Sequence, residues 1–356
     1  MTKNIFIVIP AETPDGPIKG AFALANGLSE FSKVTIVSTK KGVGANSFLV
    51  DTVDKICLSD HSSSFLQKVR TYKDILSETA KCSSVVSISM CFSADMLNML
   101  SNVHGVINCS SVRGNLIENY RMEYGLKGVI LGSFHLFCLR FFKRVIAMTK
   151  AMADQIQVYS GIKPIIIGNF IQESEIDFFR TPPSTESVRR LVFVGSLTKR
   201  KNVALLISSV DILISKGLNI KLDIIGSGPE ENTLRQLIEK YQLCNEITLL
   251  GFKEKPMEVV SGADLFVLPS YSEGISRAAM EALYLGVPCI LRESDGNAEL
   301  IRDGENGALF STDDELPEKI SSFINLRRLR GDSSSMLPEM FRQSNAIKAY
   351  LNLLVL

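Results

Sequence analysis

The strongest constraint on the fold is an alternation of strands and helices that runs along most of the chain. Short β-branched apolar runs alternate with segments of helical periodicity, first up to residue 170 and then again from residue 191. The runs cover residues 5–9, 34–38, 84–89, 105–108, 165–170, 191–195, 221–226, 246–251, 263–269 and 288–292. This pattern is typical of parallel, doubly wound sheets. We therefore predict an α/β protein with two Rossmann-like domains that face each other across a cleft.

A polar, proline-containing stretch separates the two series of runs. Its least structured part is Thr181–Ser184, which indicates an interdomain linker. We predict a first domain over residues 1–172, a linker over 173–190 and a second domain over 191–336. Helical spacing then indicates a C-terminal helix within residues 337–356. Ligands of doubly wound sheets bind beyond the carboxyl ends of the strands, so functional residues are expected there.

Composition argues against several classes of function. The formal net charge of +1 does not support non-specific nucleic-acid binding, which needs a large basic excess. The seven cysteines are scattered without a C-x-x-C pair, which is typical of free thiols in a reducing compartment. The three histidines have no metal-binding spacing. No uncharged apolar run reaches the roughly 18 residues of a membrane span, so we expect a cytoplasmic protein.

The most specific motif lies in the range 269–288. A loop carrying Glu273 follows a predicted strand, and Ser276 is placed to cap a helix that carries Glu281 and stops at Gly286. The free N–H groups and the dipole of this helix suit a diphosphate, and either carboxylate is suited to accept hydrogen bonds from sugar or ribose hydroxyls. The alternative is that Glu273 only complements the helix dipole.

A second motif follows the predicted strand 191–195. Gly195 ends this strand, the three basic residues Lys199–Lys201 follow, and Asn202 is expected to cap the next helix. Backbone near a glycine, cations and a helix N-terminus together form an anion site. A solvated basic loop is the alternative, but the position at the carboxyl end of a strand favours the anion site.

The first motif resembles the E-x7-E signature of the retaining GT-B glycosyltransferases of family 4, the glycosyl transferases group 1. In that family the first glutamate contacts the donor sugar and the second contacts the nucleotide ribose. The resemblance assigns these roles to Glu273 and Glu281.

The second motif is similar to the family's G-R-L-x-x-x-K segment, in which the arginine and the lysine hold the donor diphosphate. Lys201 matches the lysine. Ser196 stands where the arginine is usual, so the resemblance implies that Lys199 or Arg200 substitutes for it, or that the diphosphate is held less tightly.

The resemblance implies transfer of a hexose-type sugar from a nucleoside-diphosphate sugar, expected to be UDP-linked, to a glycan or a lipid-linked sugar in bacterial surface-polysaccharide synthesis. It places the donor in the second domain and the acceptor in the first, to which the C-terminal helix returns. The implied catalytic residues are Glu273, Lys201 and Arg200, and the implied donor-binding residues are Gly16, Gly195, Ser196, Lys199, Lys201, Gly274, Ile275, Ser276 and Glu281. No metal or other cofactor is expected, because the catalytic segments lack a D-x-D sequence and the basic residues would neutralise the leaving diphosphate.

The first domain carries weaker signals. The predicted loop Thr13–Gly20 contains two glycines that suit close approach to a ligand, although an ordinary Pro-Asp-Gly turn is an equal alternative. The family often has a histidine after the strand at 105–108, where this chain offers Ser110, Ser111 and Arg113 instead. Ser111 and Arg113 are the candidate acceptor contacts. His104 precedes that strand, at the wrong edge of the sheet, and is predicted to be structural.

Other functions remain as alternatives. A dinucleotide-binding turn is suggested by Gly226 and Gly228, but residue 231 is Glu where the third glycine would be, which argues against a dehydrogenase. A non-catalytic sugar-nucleotide-binding module would be excluded by turnover of a donor. A GT-B sugar-nucleotide epimerase is disfavoured by the E-x7-E segment.

Residues 129–148 combine aromatic with basic residues, including Arg140, Lys143 and Arg144. Such a combination suits the edge of an anionic membrane. A core amphipathic helix followed by a buried strand is the alternative that the strand–helix alternation favours. The resembled family often uses lipid-linked acceptors, which leads to the hypothesis of peripheral contact with the inner face of the cytoplasmic membrane and a polyprenyl-diphosphate-linked acceptor.

Overall fold

The protein consists of two compact units, each built on one parallel sheet. The computed structural model describes residues 3–13, 16–42, 49–61, 64–294 and 296–355. The first unit spans Met1–Ile171 together with Met340–Leu356, and the second spans Gln172–Glu339. The predicted α/β class with two doubly wound sheets is confirmed.

The strands of the first unit alternate with helices on both sides of the sheet. The strands are β1 (Asn4–Ala11), β2 (Lys33–Lys40), β3 (Val53–Cys57), β4 (Val85–Ser89), β5 (Ile107–Val112), β6 (Arg144–Ala147) and β7 (Ile165–Ile166). The helices before the second unit are α1 (Gly16–Ser29), α2 (Phe65–Cys82), α3 (Phe92–Leu100), α4 (Leu116–Tyr124), α5 (Leu126–Cys138) and α6 (Lys150–Ser160). The strand order in the described part of the sheet is β3-β2-β1-β4-β5-β6-β7.

Strand β1 shows why both faces of this sheet are covered. Ile5, Ile7 and Ile9 are buried in one core cluster, which includes residues of α1. Phe6 and Val8 are buried in a second cluster, which includes residues of α2 and α3. A continuous apolar run is therefore required, because successive side chains of a strand point to opposite faces.

The second unit repeats this plan. Its strands are β8 (Arg189–Val194), β9 (Ile220–Ile225), β10 (Ile247–Gly251), β11 (Leu265–Leu268), β12 (Cys289–Arg292) and β13 (Gly307–Phe310). Its helices are α7 (Val203–Ser215), α8 (Glu231–Lys240), α9 (Met257–Val260), α10 (Arg277–Tyr284), α11 (Asn297–Leu300), α12 (Glu315–Phe323) and α13 (Leu326–Arg330). The six strands lie in the order β10-β9-β8-β11-β12-β13. The predicted linker, residues 173–190, contains two short 3-10 turns and the first two residues of β8.

The last helix, α14 (Gln343–Val355), completes the first unit. Its residues Ile347, Tyr350 and Leu353 are buried in the same cluster as Phe22 of α1. The Tyr350 hydroxyl lies 3.3 Å from the Ser111 hydroxyl of β5.

The order of strands reverses once in each sheet, between β1 and β4 in the first unit and between β8 and β11 in the second. At such a point the loops that leave the two strands run in opposite directions and open a crevice, which is where doubly wound sheets bind ligands. In the second unit, a ligand is therefore expected at the loops that follow β8 and β11.

One predicted loop is wrong in its extent. Helix α1 begins at Gly16, so Gly20 lies in the helix and not in a loop. Pro14 and Asp15, which belong to the predicted loop, lie outside the described residues. The seven cysteines, all within the described residues, form no disulfide bonds. No helix within the described ranges is both long and apolar enough to span a bilayer.

Candidate active site

The two predicted motifs of the second unit meet at the point where its strand order reverses. Strands β8 and β11 are parallel neighbours, with Leu191 paired to Leu265, so their carboxyl ends lie at the same edge. The backbone N–H of Tyr271, in the loop after β11, donates to the carbonyl of Arg200, in the loop after β8, at 2.9 Å. The sheet thus joins two segments that are far apart in the sequence.

A buried ion pair lies between these two loops. The Glu273 carboxylate, which is only 8% exposed, pairs with the Lys201 ammonium group and lies 3.4 Å from the Arg200 guanidinium. Burial raises the pKa of Glu273, but the charges of Lys201 and Arg200 outweigh it and hold this pKa below its ordinary value. Glu273 is therefore an ionised hydrogen-bond acceptor at neutral pH.

The cations stand on a 3-10 turn, Lys199–Lys201, that follows β8. Lys201 is mostly buried, Arg200 is half-buried and Lys199 is exposed. The prediction that Asn202 caps α7 is wrong, because Asn202 has a left-handed backbone with φ of 50° and its side chain makes no capping hydrogen bond. The N-terminus of α7 is therefore left without a side-chain cap beside the cations.

The predicted start of α10 is confirmed. The Ser276 hydroxyl accepts a hydrogen bond from the backbone N–H of Ala279 at 3.2 Å, as an N-cap residue does. Gly274 is half-buried and Ile275 is buried, so the loop between Glu273 and the helix is packed. The helix ends at Tyr284, shortly before Gly286, whose φ is 76°.

Glu281 is not part of the cluster formed by Glu273 and the two cations. It lies on α10, where its carboxylate accepts from Arg277 Nε at 3.0 Å, and both side chains are mostly buried. The structure therefore separates the two glutamates of the E-x7-E motif into two ion pairs. A ribose hydroxyl at Glu281 would share its carboxylate with Arg277.

The glycines after β9 serve the packing of neighbouring loops. A Cβ on Gly226 would lie 1.8 Å from the carbonyl oxygen of Gly195, and one on Gly228 would lie 2.3 Å from the carbonyl oxygen of Leu197. Close backbone approach explains these glycines without a dinucleotide. Gly195 donates to the Ile225 carbonyl at 3.0 Å, and the Ser196 that follows it is exposed.

Sequence reasoning missed Arg292, which ends β12 and is buried. Its Nε donates to the Pro269 carbonyl at 3.2 Å, and its guanidinium also pairs with Asp313. Arg292 thereby fixes the start of the loop that carries Glu273. Its position at the carboxyl end of a predicted strand was the signal that could have identified it.

Several polar atoms at this edge have no hydrogen-bond partner among the described residues. They are Thr198 Oγ1, Asn202 Nδ2 and Asn297 Oδ1, all buried. Thr198 and Asn202 flank the basic turn, and Asn297 begins α11 after β12. Buried polar groups are nearly always satisfied in proteins, so these atoms are expected to bind water or a ligand.

The candidate residues of the first unit are not all brought to one place. Gly16 begins α1, and Arg113 directly follows β5 at the carboxyl edge of the sheet. The acceptor role predicted for Ser111 does not fit, because its side chain is fully buried against Tyr350 of α14. His104 lies exposed in a turn before β5, away from that edge.

A buried polar network in the first unit has no sequence signal. The Asp95 carboxylate contacts His135 Nε2 at 2.8 Å and accepts from the hydroxyls of Ser110 and Ser89, while the Tyr120 hydroxyl lies 3.3 Å from His135 Nδ1. These contacts join α3, α4 and α5 to strands β4 and β5. No group of three or more His, Cys, Asp or Glu in the described ranges is placed to hold a metal ion.

The second unit matches a known family model. The model described as glycosyl transferases group 1 matches residues 174–336, which is the second unit almost from end to end. This unit is a group 1 glycosyltransferase domain. The match covers less than half of the chain and lies within the second unit.

Curated relatives agree with the group 1 domain over part of the chain. The putative colanic acid biosynthesis glycosyltransferase WcaL of Salmonella typhimurium is 35% identical over 132 residues, which are 35% of this chain and 32% of the relative. The capsular polysaccharide biosynthesis glycosyltransferase CapM of Staphylococcus aureus is 32% identical over 141 residues, which are 39% of this chain and 37% of the relative. The chain thus spans well under two thirds of the length of these relatives.

Solved structures match the fold of both units. TarM of S. aureus, in a complex with fondaparinux, alpha-GlcNAc-glycerol and UDP, gives a TM-score of 0.80 at 12% identity and covers 99% of this chain and 100% of its own. HepE of Anabaena, in complex with UDP-glucose, gives a TM-score of 0.80 at 16% identity and covers 99% of both chains. The fold is GT-B.

Proposed function

We propose that the group 1 domain binds a nucleoside-diphosphate sugar and that the protein transfers its hexose unit, with retention at the anomeric carbon, to an acceptor hydroxyl. The observation that carries this proposal is the cluster of Glu273, Lys201 and Arg200 at the point where the second sheet reverses its order.

Glycosyl transfer makes few demands on a protein. The acceptor oxygen forms a bond to the anomeric carbon while the bond to the diphosphate breaks. Negative charge develops on the leaving diphosphate, which takes up the proton of the acceptor hydroxyl. Lys201, Arg200 and the uncapped N-terminus of α7 would stabilise that charge. Glu273 would accept hydrogen bonds from the sugar hydroxyls and hold the anomeric carbon in place.

The donor that we propose is UDP-linked. Solved structures with the same fold contain UDP or UDP-glucose, and the orphaned polar atoms of Thr198, Asn202 and Asn297 offer further contacts for a nucleotide or sugar. The relatives named for colanic acid and capsular polysaccharide support an acceptor in surface-polysaccharide synthesis. We propose a glycan or a polyprenyl-diphosphate-linked sugar, approached by Arg113 of the first unit.

A panel of nucleotide-sugars in excess EDTA tests this function. One UDP-sugar should raise the unfolding temperature, since a ligand at 100 times its Kd adds about 2.7 kcal/mol of stability. The same sugar should be hydrolysed or transferred without added metal, because Lys201 and Arg200 supply the positive charge that a metal supplies elsewhere.

Either of two results would count against this mechanism. Stabilisation without any turnover of the donor would indicate a non-catalytic binding module. Complete loss of turnover in EDTA, restored by Mg²⁺ or Mn²⁺, would mean that the protein cations do not suffice. The anomeric configuration of the product, measured by NMR, checks retention.

We further propose that the first unit contacts an anionic membrane through an exposed apolar stripe. The stripe consists of Leu126, Ile130, Phe134, Phe137 and Phe141, which are 85%, 72%, 51%, 48% and 56% exposed. Their spacing of three or four residues places them on one face of α5 and the turn that follows it. The opposite face of α5 packs into the core. The two interpretations of this segment, a core helix and a membrane contact, therefore apply to opposite faces of the same helix.

Exposed cations border this stripe. Lys127, Arg140 and Lys143 are exposed, and the last two donate to the backbone carbonyls of Ser160 and Val106, which leaves their charge unneutralised by those contacts. Each cation near an anionic bilayer surface contributes about 1 kcal/mol. The membrane would be the inner face of the cytoplasmic membrane, where a polyprenyl-linked acceptor is held.

Sedimentation with phosphatidylglycerol vesicles measures this contact. Wild type should sediment at low salt and much less at high salt, because the attraction is screened. Changing Lys127, Arg140 and Lys143 together to Gln should abolish sedimentation at low salt. The matched control, Lys216, Lys240 and Lys255 of the second unit changed to Gln, should sediment like wild type, since these exposed cations lie elsewhere. Equal sedimentation of the two triple variants would show that the stripe and its cations do not form the membrane contact.

A further inference from the structure

Arg113 forms no ion pair with any described residue of the first unit. It follows β5 at the carboxyl edge of the sheet, and its two terminal nitrogens point to thioether sulfurs, NH2 to Met90 at 3.0 Å and NH1 to Met148 at 3.5 Å. Its Nε is buried and has no hydrogen-bond partner among the described residues. A thioether is only a weak acceptor, so these contacts position the guanidinium without balancing its charge.

A partly buried cation of this kind is costly unless an anion accompanies it. None of the ion pairs formed within the described ranges includes Arg113. Met90 follows β4, one of the two strands at the reversal point of the first sheet, so the guanidinium lies where this sheet is expected to bind a ligand.

A second unsatisfied group converges on the same place. Asn169, which follows β7, is 9% exposed, and its Oδ1 has no hydrogen-bond partner among the described residues. A Cβ built on Gly20 would lie 3.6 Å from Asn169 Oδ1 and 3.7 Å from Arg113 NH1. The side chains of Arg113 and Asn169 therefore flank one small space above the second turn of α1, and the missing side chain of Gly20 leaves it open.

We propose that Arg113 and Asn169 form a subsite for an acceptor that carries an anionic group beside a hydroxyl. The guanidinium would bind a carboxylate or a phosphate, and the asparagine oxygen would accept from the neighbouring hydroxyl. This inference rests on the proposed glycosyl transfer and specifies its acceptor as an acidic or phosphorylated sugar.

Calorimetry with UDP present at saturation tests the subsite apart from the donor site. The probes are galacturonate, glucose 6-phosphate and, as a neutral control, glucose. Wild type should bind at least one of the charged sugars and bind glucose at least tenfold more weakly. Binding of galacturonate would indicate a site for a carboxylate, and binding of glucose 6-phosphate would indicate a site for a phosphate. If wild type binds UDP but discriminates neither charged sugar from glucose, the subsite is overturned while the donor site stands. If UDP itself does not bind, the proposed function fails instead.

Two variants test the roles of Arg113 and of the space above Gly20. Arg113→Gln should lose at least tenfold in affinity for the charged sugar. Gly20→Ala should lose a similar factor while its unfolding temperature is unchanged or higher, because the methyl group fills the space between Arg113 and Asn169 and alanine favours a helix over glycine. Both should bind UDP as wild type does. Wild-type affinity for the charged sugar in a folded Gly20→Ala would overturn the proposal.

The alternative to a ligand is an ion pair between Arg113 and Asp15, which precedes α1 and lies outside the described residues. The variant Asp15→Asn tests this alternative. Asp15→Asn should leave the affinity for the charged sugar unchanged. A rise of tenfold or more would identify Asp15 as the counter-ion of Arg113, and the subsite would then be an internal ion pair.

Discussion

Glu273→Gln should lower turnover of the donor about 100-fold or more while binding of free UDP stays the same or tightens. The carboxylate is proposed to act on the sugar, and removal of one contact that acts in the transition state commonly costs a factor of 10² to 10³. UDP lacks the sugar, and the loss of the Glu273 charge releases Lys201 for the diphosphate. Single-turnover kinetics and UDP calorimetry measure the two effects separately.

Glu281→Gln is the matched control for this variant. Its carboxylate lies in a separate ion pair with Arg277, and it should weaken UDP and UDP-sugar alike if it holds the ribose. The two glutamates are misassigned if both variants lose affinity for free UDP equally.

The same variant has a pH signature in stability. The pKa of Glu273 is held below its ordinary value of 4.5, because the charges of Lys201 and Arg200 outweigh the effect of burial. An acid whose pKa is lowered by folding stabilises the fold above its ordinary pKa, and this contribution is lost as the pH falls through the lowered value. The difference in unfolding free energy between wild type and Glu273→Gln should therefore be constant near neutral pH and shrink below pH 4.5.

Lys201→Met should weaken binding of both UDP and the UDP-sugar by about 10- to 150-fold, because a charge-assisted contact contributes about 1.5–3 kcal/mol. Uridine, which has no phosphate, should bind almost as it does to wild type. Methionine keeps the apolar stem of the side chain, so the comparison isolates the charge. Calorimetry with all three ligands measures the effect.

Lys199→Met provides the comparison within the same 3-10 turn. Lys199 is exposed, whereas Lys201 is mostly buried and paired with Glu273, so the Lys199 variant should lose several times less affinity. Equal losses for uridine and UDP in Lys201→Met, or no loss for either, would show that Lys201 does not contact the phosphates.

The sequence sufficed to predict the fold class and the convergence of Lys201 with Glu273. Each residue follows a buried parallel strand, and such strands direct their carboxyl ends to one edge of a sheet. The close ion pair itself was not predictable, because it depends on β8 and β11 being neighbours, and strand order is not encoded in local spacing. The separate ion pair of Glu281 is local, because Arg277 stands four residues earlier on α10 and helix spacing brings the two side chains together.

Other features were misread or missed because they depend on contacts between distant parts of the chain or on a position at the sheet edge. Ser111 looked accessible at the end of a predicted strand, but α14 covers it with Tyr350 from a distant part of the chain. Strand β3 escaped notice because Asp54 and Lys55 interrupt its apolar pattern at the sheet edge. The Asp95–His135 contact joins residues 40 positions apart, and no short motif announces it.

The placement of α14 has a consequence for the order in which the molecule is made. Domains generally fold as units during synthesis, with the N-terminal one first. Here residues 3–171 emerge from the ribosome before the helix that covers Ser111 and buries Ile347 and Tyr350 against α1. The second unit is continuous in the chain and can fold earlier. Of the two units, the one that begins earlier in the chain is thus completed later, and until then the side of its core that α14 covers is left uncovered.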